Sequence, residues 1–142
     1  MVLRVDAVEV RLQRLEAVVS ELERLSRIDP GEIRRDTSRM WGVERGLQLG
    51  AEILFDVGSH ILVAEYGVSP QEYKEILTRL ANQDVISRQL ADRLEGLAGF
   101  RNILVHDYLE LDPDKVLEAL KQAPEDFSDF ARDIQAWLEP RR

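Results

Sequence analysis

The sequence predicts an all-α protein, an antiparallel bundle of about five helices. Two observations carry that expectation. Apolar residues recur at spacings of three and four along most of the chain, which is the helical period. The stretches that carry this pattern begin at capping residues and end at Pro or Gly breaks. With 142 residues and no linker, internal repeat or low-complexity run, the helices are expected to share one domain spanning residues 1–142.

The first helix is expected over residues 3–25, where Val5, Val8, Leu12, Leu15, Leu22 and Leu25 form one apolar stripe. Its interleaved Glu and Arg side chains read as a solvated face. Asp29-Pro30-Gly31-Glu32 breaks it, with Asp29 as a cap, Pro30 at a first helical position and Glu32 able to close a capping box; a short turn is expected there. A long helix follows over residues 36–65, carrying Met40, Val43, Leu47, Leu54, Val57 and Ile61. Gly42, Gly46, Gly50 and Gly58 interrupt it, each costing up to about 1 kcal/mol relative to Ala, and they read as helix crossing points. His60 on this helix is a packed or capping histidine, or else a residue beside a cleft; the sequence leaves both open.

Tyr66-Gly67 ends the long helix, and Ser69-Pro70-Gln71-Glu72 predicts the start of a short third one reaching residues 81–82. Ser87 can cap a fourth, with Leu90, Leu94, Leu97, Phe100 and Leu104 on its core stripe. Asp112-Pro113 starts the last helix, over residues 113–138, with Pro124 as a point where it can break.

Composition narrows the function. The net charge of −8 argues against a general nucleic-acid coat protein. The charge is uneven, since residues 107–139 hold ten acidic against three basic side chains. The acidic last helix is therefore expected to face away from any RNA and to meet a basic partner surface. Arg24, Arg27, Arg34, Arg35, Arg39 and Arg45 concentrate before and into the long helix, either as a salt-bridged solvent face or as a phosphate-binding lining. The absence of cysteine excludes disulfides and thiolate metal sites and suits a reducing, cytoplasmic location. The two His are too far apart to form a helical pair, and no paired-carboxylate metal signature appears. No segment approaches 18 consecutive apolar residues and the N-terminus is charged from Arg4, so neither a membrane span nor a signal peptide is expected.

The chemistry is concentrated in Arg101-Asn102-Ile103-Leu104-Val105-His106-Asp107-Tyr108. With Arg101 set at 0° on a helix, Asn102 falls near 100° and His106 near 140°, while Phe100, Ile103 and Leu104 lie between about 200° and 300°. One side is apolar and anchored; the other offers a guanidinium, an amide and an imidazole. Ala91, Ala98 and Gly99 precede them on that side, leaving room for a second chain or a substrate backbone. An imidazole moves protons near neutral pH, and a forked guanidinium binds phosphate and stabilises charge building on it. The set suits metal-free RNA cleavage, in which the ribose 2′-hydroxyl attacks its own phosphate. By spacing alone, His106 reads equally as a surface or C-capping residue, and Tyr108 as an aromatic covering a helix end.

GFRNILVHDY resembles the Arg-x4-His-x-Tyr motif of the HEPN domains in HepT-like toxins of prokaryotic toxin–antitoxin pairs. VERGLQLGAEILFDVGSHIL, SPQEYKEILTRLANQDVIS and LADRLEGLAGFRNILVHDY extend the resemblance over residues 3–139. It implies a HEPN-type fold, a homodimer whose motifs face a shared cleft, and metal-independent endoribonuclease activity without a cofactor. It also implies a nucleotidyltransferase (MntA-like) antitoxin that silences the toxin by transferring AMP onto the motif tyrosine. Arg101, His106 and Tyr108 carry over directly, and Asn102 holds the polar position after the Arg. His106 is then the general base or acid, Arg101 the phosphate ligand, Asn102 an orienting group, and Tyr108 a cleft residue and the modification site. Cleavage would leave 2′,3′-cyclic phosphate and 5′-hydroxyl ends. The rival expectation is a non-catalytic HEPN adaptor that docks on a nucleotidyltransferase.

Overall fold

The apolar stripe of the first helix, α1 (Val5–Ser26), buries Val8, Leu12, Leu15, Leu22 and Leu25 against α3 (Thr37–Tyr66) and α6 (Pro113–Leu138). The computed structural model describes residues 2–106, 109 and 111–142; the side chains of Val105 and His106 lie outside that description. Between α1 and α6 stand α2 (Pro30–Arg35), α4 (Tyr73–Asn82) and α5 (Arg88–His106), and no strand occurs among the described residues. The architecture is all-α, as the apolar period predicts.

Among the described residues six α-helices replace the five expected, because Asp29-Pro30 opens a helical segment rather than a turn. The Asp29 carboxylate accepts from the Glu32 N–H at 3.2 Å, and Ile33 is buried as the anchor of α2. A helix this short is too brief to show a period. Asp36 then caps α3 by accepting from the Ser38 and Arg39 N–H groups. Gly67, at φ 65°, ends α3 in the left-handed conformation that glycine adopts without a Cβ clash.

The start of α4 differs from expectation. Ser69 and Pro70 stay outside the helix, which begins at Tyr73. Glu75, not Glu72, reaches back, accepting from the Gln71 N–H at 2.9 Å. Ser87 does cap α5, its hydroxyl accepting from the Leu90 N–H at 3.0 Å. Pro124 sits inside an unbroken α6, where it is buried. By length and composition α3 would pass for a membrane span, with mean hydropathy 1.3 in its most apolar window, of which 56% is buried in the bundle.

Helix directions follow from named contacts. Gly42 and Gly46 of α3 meet Leu25 and Leu22, so α1 runs antiparallel to α3. Gly50 meets Phe127 and Tyr66 accepts from Trp137 Nε1 at 3.1 Å, so α6 runs with α3. Ser87 N–H donates to Asp133, and Arg93 pairs with Asp126 and Asp129, so α5 runs against α6 and therefore against α3. The glycines of α3 are crossing points, as their spacing suggests.

Asp126 is a buried carboxylate in this frame, bonded by Gln122 and Arg93. Burial pushes its carboxyl above the ordinary Asp range, against the opposing pull of Gln122 and Arg93. A raised folded-state pKa means that the stability contributed by this group is fully present below the unfolded value and is lost as pH rises through the folded one. Asp126→Asn is therefore expected to gain on the wild type as pH rises from about 3.5 to about 6. Thermal melts of both proteins across that range check the sign.

Candidate functional site

The last turns of α5 carry the motif, and their geometry is set by α3 and α4. Phe100 and Leu104 pack on the core, which leaves Arg101 and Asn102 on the outer side of the helix. Arg101 is folded down onto α3. Its Nε and Nη2 reach one oxygen of Glu52 at 2.8 and 2.6 Å, and its guanidinium lies over the Tyr73 ring at 4.6 Å. Tyr73 in turn stacks on Phe55 at 4.7 Å between ring centres. The Arg101 side chain is only 13% exposed. Nη1 is the edge left over, and it faces Asn102 Oδ1 at 3.4 Å. The site thus holds a guanidinium in one orientation, with Glu52 taking Nε and Nη2 and Asn102 taking Nη1.

An open groove of about 1150 Å³ adjoins this edge, with Glu52, Asp56, Asp92, Glu95, Gly99 and Asn102 among its lining. Ala98 also lines it, whereas Ala91, expected on the same open side, is buried. A Cβ placed on Gly96 or Gly99 would meet nothing within 4 Å. Nothing among the described residues requires glycine at these two helical positions.

The sequence-derived residues are placed as follows. Arg101 and Asn102 are brought together. α5 ends at His106, whose side chain is not among those described, and Tyr108 lies outside the described residues. His60 is a structural acceptor: its Nε2 takes the Arg4 N–H at 3.1 Å where α1 begins. Of the arginines before and within α3, Arg24 pairs with Glu21, Arg34 with Asp114, and Arg39 with Glu32 and Asp36, which favours the salt-bridged surface for those three. The acids of α6 are partly engaged inside the chain, since Asp114, Asp126, Asp129 and Asp133 all have partners there.

Glu52 and Tyr73 were not singled out by the sequence. The available signal for Glu52 is that it is the only charged residue between Gly46 and Phe55, set on the face of α3 opposite the buried stripe. Tyr73 gave no signal beyond opening a short helix.

Comparison with known proteins agrees with this fold. Residues 15–134 match the family described as ribonuclease HepT-like. A protein named mRNA nuclease HepT from Shewanella oneidensis is 28% identical over 130 residues, covering 90% of this chain and 98% of its own. A protein named tRNA nuclease HepT from Aphanizomenon flos-aquae is 25% identical over 131 residues, covering 92% and 89%. Among solved structures, the tri-AMPylated Shewanella oneidensis HEPN toxin in complex with MNT antitoxin superposes with a TM-score of 0.84 at 28% identity, covering 94% of this chain and 99% of that one. With the family match running through most of its length, α5 included, the chain belongs to the HepT-like family.

Proposed function

We propose that this chain is the toxin of a toxin–antitoxin pair, a metal-independent endoribonuclease that works as a homodimer. The observation that carries the reading is the held guanidinium of Arg101, oriented by Glu52 and Tyr73 and donating through Nη1 to Asn102, on the helix that ends at His106. The relatives named HepT are named as nucleases, and one relative is complexed, as an AMPylated toxin, with an MNT antitoxin.

In this mechanism Nη1 of Arg101 exchanges its contact with Asn102 for an oxygen of the scissile phosphate and stabilises the charge that grows on it. His106 takes the proton from the 2′-hydroxyl or supplies one to the departing 5′-oxygen. One imidazole cannot do both at once, so His106 of the second subunit, or water, completes the proton traffic. The nucleophile belongs to the RNA, so the reaction requires no metal-activated water. The ends expected are 2′,3′-cyclic phosphate and 5′-hydroxyl.

Gly96 and Gly99 support the dimer, because their missing side chains leave room on the groove side of α5 that this chain does not itself fill. Gly99→Ala is expected to stabilise the isolated fold by up to about 1 kcal/mol through helix propensity. Gly99→Gln is expected to leave the fold intact while weakening the dimer and its cleavage; light scattering beside a thermal melt separates the two effects. Transfer of AMP to Tyr108 by a nucleotidyltransferase would place bulk and negative charge where RNA phosphate has to bind.

A second reading has its own support. Glu52 already engages Arg101, which is how a purely structural arginine looks, and an adaptor docking on a nucleotidyltransferase would need no more. Expression of the chain with and without a nucleotidyltransferase antitoxin of the MNT type tests between them. The toxin reading expects growth arrest and RNA loss from the chain alone, relief by the transferase, and no toxicity from His106→Ala. A harmless chain that the transferase requires for its own activity would replace this reading with the adaptor.

A further inference from the structure

The face of α3 that holds Glu52 continues toward the start of the helix. At 100° per residue, Trp41, Arg45, Gln48 and Asp56 all fall within about 40° of Glu52. The opposite face, Val43, Leu47, Gly50 and Leu54, is buried. Trp41 is 67% exposed, while the other tryptophan, Trp137, is 8% exposed and bonded to Tyr66. Arg45 is exposed, and no carboxylate pairs with it among the described residues. Among the described residues, neither this exposed aromatic ring nor the guanidinium beside it is engaged by the bundle.

The two ends of this face differ in charge. Beyond Glu52 toward the C-terminus of α3 lie Asp56, Asp92, Glu95 and Glu72, with Lys74 already paired to Glu95 at 2.7 Å. That end repels phosphate. Before Glu52 lie Arg45 and Trp41. Because α5 runs against α3, its course from Arg101 to His106 leads toward that same end. A polyanion held at Arg101 therefore has one favourable exit, along the first half of α3.

We propose that Trp41 and Arg45 form a subsite for single-stranded RNA flanking the cleaved phosphate, with an unpaired base stacked on Trp41 and a backbone phosphate on Arg45. Arg45 lies about 10 Å and Trp41 about 16 Å from Glu52 along the helix axis, so the stacked base belongs to a neighbouring nucleotide, not the one being cut. Stacking on an aromatic ring tolerates any base, so the subsite favours unpaired RNA over a particular sequence. The subsite rests on the nuclease reading for its purpose but has its own readout.

The test uses unmodified full-length protein, cleavable RNA, and a short single-stranded 2′-O-methyl RNA that lacks the attacking hydroxyl. RNA should quench the fluorescence of exposed Trp41. Trp41→Ala should raise KM by about fivefold to a hundredfold with kcat within about twofold, and Trp41→Phe should retain most of the affinity. Arg45→Gln should weaken binding and flatten its salt dependence. Trp41→Ala binding and cleaving like the wild type would overturn the subsite and leave the nuclease standing. A Trp41→Ala protein with altered oligomeric state or antitoxin capture, but unchanged RNA affinity, would overturn it too and make this face a protein interface. If the wild type cleaves nothing, the 2′-O-methyl RNA still decides: quenching with Trp41-dependent affinity keeps the subsite, and its absence removes it.

Discussion

Arg101→Ala is expected to lower kcat for RNA cleavage by about a hundredfold to a thousandfold, the scale on which removing one preorganised donor to a developing charge acts. Arg101→Lys should recover little of it. An ammonium cannot keep two contacts to one Glu52 oxygen, lie flat over Tyr73 and still present a donor beside Asn102. Glu52 is a positioning residue, and its substitution separates orientation from charge. Glu52→Gln removes the negative charge competing with phosphate but also the anchor of the guanidinium. KM should hold or fall while kcat drops by roughly tenfold. A parallel rise in KM with kcat unchanged would mean that Glu52 serves substrate binding alone.

The second large effect is on stability. A Cβ at Gly50 would overlap the ring of Phe127, which is 1% exposed at the crossing of α3 and α6. Gly50→Ala gains about 1 kcal/mol of helix propensity. It also forces a buried ring off its place, which costs about 1–3 kcal/mol and occasionally more. A net loss is expected despite the better helix former. Phe127→Ala should cost about 3–5 kcal/mol by opening a cavity at the same crossing. The double variant Gly50→Ala with Phe127→Leu should fall short of the summed single losses, because the smaller side chain makes room for the new methyl group. Denaturant unfolding of the wild type, Gly50→Ala, Phe127→Leu and the double variant measures that coupling.

What the sequence disclosed follows from where the information resides. The stripes of α1, α3 and α6 and the caps at Asp29, Ser87 and Asp112 are local signals, and each appears in the structure. The neighbouring placement of Arg101 and Asn102 is local too, being helix arithmetic. Glu52 and Arg101 are 49 residues apart, and their pairing depends on how α5 crosses α3, which no period encodes. The late start of α4 has a similar cause: Ser69-Pro70 carries a good start signal, but Glu75 and the docking of Tyr73 on Phe55 fix the first turn further on. Glycines read both ways. Gly46, Gly50 and Gly58 are explained by Leu22, Phe127 and the Ile76–Leu80 pair, whereas among the described residues no neighbour explains Gly96 and Gly99.

The central claim is tested most directly by incubating a labelled single-stranded RNA in EDTA with the freshly expressed chain and its His106→Ala variant, after intact mass has established that Tyr108 carries no AMP. The account predicts cleavage by the wild type alone, with 2′,3′-cyclic phosphate and 5′-hydroxyl ends. An unmodified, dimeric wild-type protein that leaves several RNAs intact would contradict it.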